Sequence, residues 1–138
     1  MPRFPVKLIV LVALLLAPMS VAAAADTPLI DTRWMLVSAR GEPAEPGRTS
    51  AHLIFAADGS VAGNTGCNNL GAVYTLDGDR LSFSPVMTTR MYCAAAAASE
   101  HRFVTALPAV AGYVIDGTRL TLTGADGMVL ATFTAASA

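Results

Sequence analysis

Cys67 and Cys93 are the chain's two cysteines and His52 and His101 its two histidines, so any thiol or metal chemistry has to be assembled from these four positions and the acids. A cysteine nucleophile needs a base within hydrogen-bond reach. The two histidines fall one on a predicted strand and one on a predicted helix, and neither is assigned to a cysteine. A zinc knuckle needs closely paired ligands; the Cys67 to Cys93 gap is too long, and no C-x-x-C or H-x-x-x-H pattern completes it. Glu100 beside His101 lacks the two-histidine helical spacing of the zincins, and no G-x-S-x-G elbow occurs. Asp77 and Asp79 flank a glycine and read as solvated turn formers. Lys7 is the only lysine, which removes Schiff-base and P-loop chemistry from everything after the N-terminal segment. No enzyme, no metal and no cofactor is expected.

Binding chemistry has more to work with. The run Gly63-Asn64-Thr65-Gly66-Cys67-Asn68-Asn69-Leu70-Gly71 combines conformationally free glycines with asparagines that bond nearby main chain. It fits an anion nest or ligand-binding turn, and fits better a strand-end corner held by its cysteine. Met87, Met91 and Tyr92 follow Pro85 and lie beside Cys93; side chains of this kind line adaptable pockets, but more often fill a core. Trp34 reads as core. If binding is the activity, its surface is expected on loops at one end of the sheet, near Asn64, Asn68 and Asn69 and near Arg90, Met91 and Tyr92, drawn together by a bridge between Cys67 and Cys93.

The N-terminus sets the compartment. Arg3 and Lys7 make a positive n-region, Leu8 to Ala17 an unbroken apolar stretch, and Ala22 to Ala25 a set of small-residue cleavage sites. The apolar stretch is about half of the roughly 20 residues a permanent membrane helix needs. Residues 1–25 are therefore expected to be a cleavable secretory signal, cut after Ala25 or one or two residues earlier, and residues 26–138 a single domain, periplasmic or secreted, with no permanent membrane anchor. No cysteine near the cleavage site can carry a lipid. Seven arginines face ten acids in that domain, a formal charge of −3, so the basic footprint of a nucleic-acid partner is absent. In an oxidising compartment an isolated cysteine pair is most simply a disulfide, contributing roughly 3 kcal/mol on the chain-entropy model.

Asp-Gly dipeptides at Asp58-Gly59, Asp77-Gly78, Asp116-Gly117 and Asp126-Gly127 separate apolar runs, the punctuation of tight hairpins. Leu53 and Phe55, Ala72, Tyr74 and Leu76, Leu81 and Phe83, Tyr113 and Ile115, Leu120 and Leu122, and Val129, Ala131 and Phe133 alternate with period two. Ile30 to Ala39 reads as the opening strand, with Trp34, Leu36 and Ser38 on one face. Residues 41–50, with Pro43, Pro46 and Gly47, read as an exposed loop. Helix formers over residues 95–107, with Phe103 and Leu107 toward the sheet, give one helix, stopped by Pro108. The fold class is α+β, mostly antiparallel β, with about seven to eight strands and one packed helix.

In their order these features resemble the META domain family, which includes HslJ-like heat-shock proteins of bacterial envelopes. The resemblance is carried by Asp31-Thr32-Arg33-Trp34-Met35-Leu36, Gly63 through Asn68 with Gly71 and Tyr74, Thr88-Thr89-Arg90-Met91-Tyr92-Cys93, Glu100, Phe103 and Leu107, and Leu120-Thr121-Leu122 with Gly127 and Phe133. Leu70 stands where an aromatic is common and Tyr92 where alanine is usual. The resemblance implies a small cracked-barrel-like sheet with one helix on it, no enzymatic activity, and a place in envelope stress tolerance or protein binding. A carrier or sensor of a small apolar ligand or lipid, using the space between helix and sheet, is the alternative. The partner is then an unknown envelope protein or such a ligand, and the domain a monomer.

Overall fold

The structure, a computed structural model, describes residues 2–5, 9–19 and 25–137. Lys7, Leu8 and the Ala22 to Ala24 cleavage sites lie outside the described residues. Ile9 to Met19 are exposed and form neither helix nor strand, and no helix among the described residues is long and apolar enough to cross a membrane.

From Arg33 onward the chain builds ten strands: β1 (Arg33–Ala39), β2 (Glu42–Pro43), β3 (His52–Phe55), β4 (Ser60–Asn64), β5 (Asn69–Asp77), β6 (Arg80–Phe83), β7 (Met87–Thr88), β8 (Val110–Asp116), β9 (Arg119–Gly124) and β10 (Val129–Ala135). Eight of them, β1, β3, β4, β5, β6, β8, β9 and β10, pair antiparallel in that order, and β10 returns to β1 to close a barrel. The four Asp-Gly dipeptides sit at the β3–β4, β5–β6, β8–β9 and β9–β10 hairpins. Their glycines all have positive φ, from 60° at Gly117 to 92° at Gly59, the backbone state these turns demand. One seam is thin: β6 meets β8 through the single pair Arg80↔Gly112, where β8 and β9 share six. That seam is the crack expected of the sheet.

The count exceeds the seven to eight strands expected because β2 and β7 are two residues long, too short to show an alternation. They lie on β1 and β5, outside the closed ring. The opening strand begins at Arg33 rather than Ile30. Asp31, at φ 61°, turns the chain, and Ile30 makes only an isolated parallel bridge to Phe55. The expected phase also breaks within β1. A register shift against β10 between Leu36 and Ser38 sends Ala39 into the core and leaves Ser38 only partly covered, its hydroxyl 2.6 Å from that of Thr132.

Helix α1 (Ala97–Ala106) is flanked by 3-10 turns at Ala94–Ala96 and Leu107–Ala109, and so covers the predicted 95–107. Phe103 and Leu107 are completely buried, and the Phe103 ring meets Phe133 edge-on at 5.9 Å. With Trp34, Phe55, Leu53, Leu81, Leu120 and Leu122 they fill the barrel. Arg40 ties down the far end of the helix, donating from Nη2 to the Thr105 carbonyl at 2.8 Å, a cation where the helix carries its partial negative charge. At the other end of the barrel the Tyr74 hydroxyl donates to the Ala56 carbonyl at 2.6 Å. Burial, then the charges of Asp58 and Asp31, push its ionisation above the ordinary phenol range, while hydrogen bonds from Ser60 hold the Asp58 carboxyl below its own.

Candidate functional site

The glycine- and asparagine-rich run forms the corner between β4 and β5. Asn64 and Asn69 end and begin those strands, and Thr65, Gly66, Cys67 and Asn68 are buried between them. A buried polar turn must find partners for every donor and acceptor, and here the side chains supply them. Asn64 Oδ1 accepts from the Thr49 hydroxyl at 2.6 Å and the Gly66 N–H at 2.8 Å, and its Nδ2 donates to Asn69 Oδ1 at 3.3 Å. Thr65 Oγ1 accepts from the Asn68 N–H at 2.9 Å and donates to Glu100 Oε2. The 41–50 segment is exposed as expected, yet it also dresses this corner. A Cβ on Gly47 would lie 2.1 Å from the Gly66 carbonyl oxygen, so only glycine fits there.

Asn68 is the hub. Its Oδ1 accepts from the Met91 N–H at 2.6 Å and the Thr89 hydroxyl at 2.9 Å; its Nδ2 donates to the Met91 carbonyl at 2.9 Å and to Glu100 Oε2 at 2.8 Å. All four bonding positions of the amide are thereby filled. Asn69 adds a backbone exchange with Thr89, accepting from its N–H at 3.1 Å and donating to its hydroxyl at 3.0 Å. Cys67, immediately before Asn68, and Cys93, two residues after Met91, are joined in a disulfide with Cα atoms 5.9 Å apart. Neither sulfur is a free thiol.

These links fix the 87–93 segment flat along the start of β5, Met87 opposite Gly71 and Thr88 opposite Leu70. The main chain is held and the side chains are left outside. Met87, Met91 and Tyr92, read from sequence as more often core, are instead 74%, 47% and 83% exposed. The Asn68 and Asn69 bonds turn the main chain of this segment to the corner, and these side chains are left in solvent. Arg48, from the 41–50 segment, reaches Met91 Sδ with Nη1 at 3.6 Å. Trp34 is fully buried as expected, its indole N–H donating to the Leu29 carbonyl at 3.1 Å.

All six positions expected near a binding surface come to this one corner, and the structure divides them. Asn64 and Asn68 are buried and engaged within the protein; Asn69, Arg90, Met91 and Tyr92 are exposed. Glu100 is the residue that sequence reasoning left out of the site. Its signal was its spacing: it precedes Phe103 by three and Leu107 by seven, on the stripe that faces inward, where a carboxylate needs partners. In the first turn of α1 it also meets the positive end of the helix dipole. His52 bonds locally, its Nδ1 2.8 Å from the Ser50 carbonyl. His101 is exposed on α1.

Replacing Asn68 by alanine is expected to cost about 2 kcal/mol, because the Met91 N–H and the Glu100 carboxylate lose buried partners. Urea unfolding measures this; an unchanged midpoint would mean that water replaces the amide without loss.

The META domain family model matches residues 27–137. No curated protein matches the sequence. Among solved structures, the fold is similar to the NMR structure of a protein from Burkholderia xenovorans, with TM-score 0.61, 22% identity, and all of both chains covered. It is similar too to the crystal structure of a DUF4847 family protein from Bacteroides vulgatus, with TM-score 0.58, 15% identity, 77% of this chain and 93% of that one. A further NMR structure gives TM-score 0.59 at 22% identity over 75% of this chain and 89% of the other. At these identities the structures establish a shared fold.

Proposed function

Because the chain belongs to the META domain family, we propose that it acts by binding and not by catalysis, as an exported envelope protein with a part in stress tolerance or in holding another protein. One observation carries this reading: a buried polar corner and a disulfide are built around a segment whose own side chains, Arg90, Met91 and Tyr92, remain exposed. Buried hydrogen bonds and a covalent bridge that rigidify an exposed apolar and cationic surface make a preformed contact face, which lowers the ordering cost of association. A nucleophilic role for the cysteines finds no support, since they are bonded to each other. The carrier reading is the weaker one. The space between helix and sheet that it needs is occupied by Phe103, Leu107, Phe133 and Trp34.

Export is the part of this reading that the N-terminal sequence supports, and it has a direct readout. The protein recovered from the export compartment is expected to begin at Asp26 or up to two residues earlier; N-terminal sequencing that finds Met1 retained on that form would overturn it. The contact face is tested by Arg90→Ala and Tyr92→Ala. Both positions are exposed, so each variant is expected to unfold within about 0.5 kcal/mol of the parent while losing the complexes that the exported parent forms, as read by chemical cross-linking. Variants that retain those complexes would move the face elsewhere.

A further inference from the structure

The exposed ridge has a charge and a shape that specify its partner more narrowly. No acidic residue occurs between Asp79 and Glu100, nor between Glu45 and Asp58, and these two acid-free stretches meet where Arg48 touches Met91. Glu100 directs its Oε2 inward, to Thr65 and Asn68. In a domain with formal charge −3 over residues 26–138, these stretches thus bring exposed Arg48 and Arg90 together with exposed Met87, Met91 and Tyr92 as a cationic, apolar ridge, with Glu45 at its border, where its backbone N–H donates to the Ser99 hydroxyl at 3.2 Å. The ridge protrudes: Met87 and Tyr92 keep 74% and 83% of their surface in solvent. Side chains that stand this far out are covered either by a partner with a matching cavity or by a phase that deforms around them. Tyrosine, methionine and arginine suit the second. The tyrosine ring is stable at headgroup level, the thioethers are flexible and apolar, and arginine keeps its stem in apolar surroundings while its guanidinium stays with lipid phosphates.

Resting on the exported binding role proposed above, we infer that this ridge docks the domain reversibly on an anionic lipid surface. Met87, Met91 and Tyr92 enter the interfacial layer, and Arg48 and Arg90 pair with lipid phosphates. Two cations and three modest apolar side chains give weak, salt-sensitive attachment and no permanent anchor. The disulfide and Asn68 matter here because a ridge fixed in advance loses no order on contact.

The test uses the processed protein taken from the export compartment, its N-terminus verified by mass, carrying Tyr92→Trp. It is mixed with vesicles of equal parts phosphatidylglycerol and phosphatidylcholine, or of phosphatidylcholine alone. Co-sedimentation is expected with the anionic vesicles only, falling at least about tenfold when salt shortens the screening length from about 10 Å to about 3 Å. Brominated acyl chains are expected to quench the tryptophan at position 92 and to spare Trp34, which is buried in the core. The double variant Arg48→Gln, Arg90→Gln and the single variant Met87→Ser should each weaken binding several-fold without altering the thermal midpoint. Absence of co-sedimentation, or co-sedimentation without quenching at position 92, overturns the lipid assignment. If, in addition, a cross-linker at position 92 captures a protein, the binding role stands with a protein partner; if it captures nothing, both readings fall.

Discussion

Phe103→Ala is expected to destabilise the domain by about 3 to 5 kcal/mol, the range for deleting a fully buried aromatic side chain and a large part of a small domain's net stability. Phe103 has no exposed surface, packs edge-on against Phe133, and is the helix's main contribution to the barrel interior. Its loss leaves a cavity between α1 and β10 and loosens the helix that carries Glu100. Denaturant unfolding followed by circular dichroism reads the change. A loss below about 1 kcal/mol would mean that the helix does not pack as described. Leu76→Ala, at a residue 41% exposed on β5, is the control with a small expected effect.

The second large effect belongs to the bridge. Cys67 and Cys93 are 26 residues apart, and closing a loop of that length restricts the unfolded chain by roughly 3.5 kcal/mol on the entropy model. Cys67→Ala should lower stability by about 2 to 4 kcal/mol, since an unfolded chain that keeps residual structure gains less freedom from losing the bridge than the model assumes. Both thiols should resist labelling in the native, unreduced protein. Stoichiometric labelling of both would contradict the bridge, and an unchanged unfolding free energy would show that the Asn68 network alone holds the 87–93 segment.

The hairpins were legible because Asp-Gly turns are local chemistry: the dipeptide at residues 116 and 117 needs only its neighbours to declare itself. Helix α1 was legible from the spacing of Phe103 and Leu107, and the disulfide from an isolated pair of cysteines. The barrel came from the family resemblance and not from the alternation itself, since β1 and β10 pair residues as distant as Trp34 and Ala135, and period-two alternation is the same for a strand at an edge and a strand in a ring. The bulge in β1 inverts the facing of Ser38 and Ala39 for a reason that lies in β10. Met87, Met91 and Tyr92 were misjudged because apolar character does not say which side of the backbone is covered. That is decided by hydrogen bonds from Asn68 and Asn69, some 20 residues away. The strand-end corner was legible from its glycines, asparagines and cysteine; that Asn64 and Asn68, named near the expected binding surface, are buried within it was not, because their partners Thr49, Met91 and Glu100 lie 15 to 32 residues away.

The most direct measurement of the central claim is site-specific photo-cross-linking in cells that export the protein. A photoreactive residue replaces Tyr92 on the ridge or, as reference, Val114 on β8, which is 58% exposed. A protein that works by binding through the disulfide-held corner gives an adduct, to lipid or to a partner protein, from position 92 and none from position 114. Equal yields from both positions, or no adduct from position 92, would contradict it.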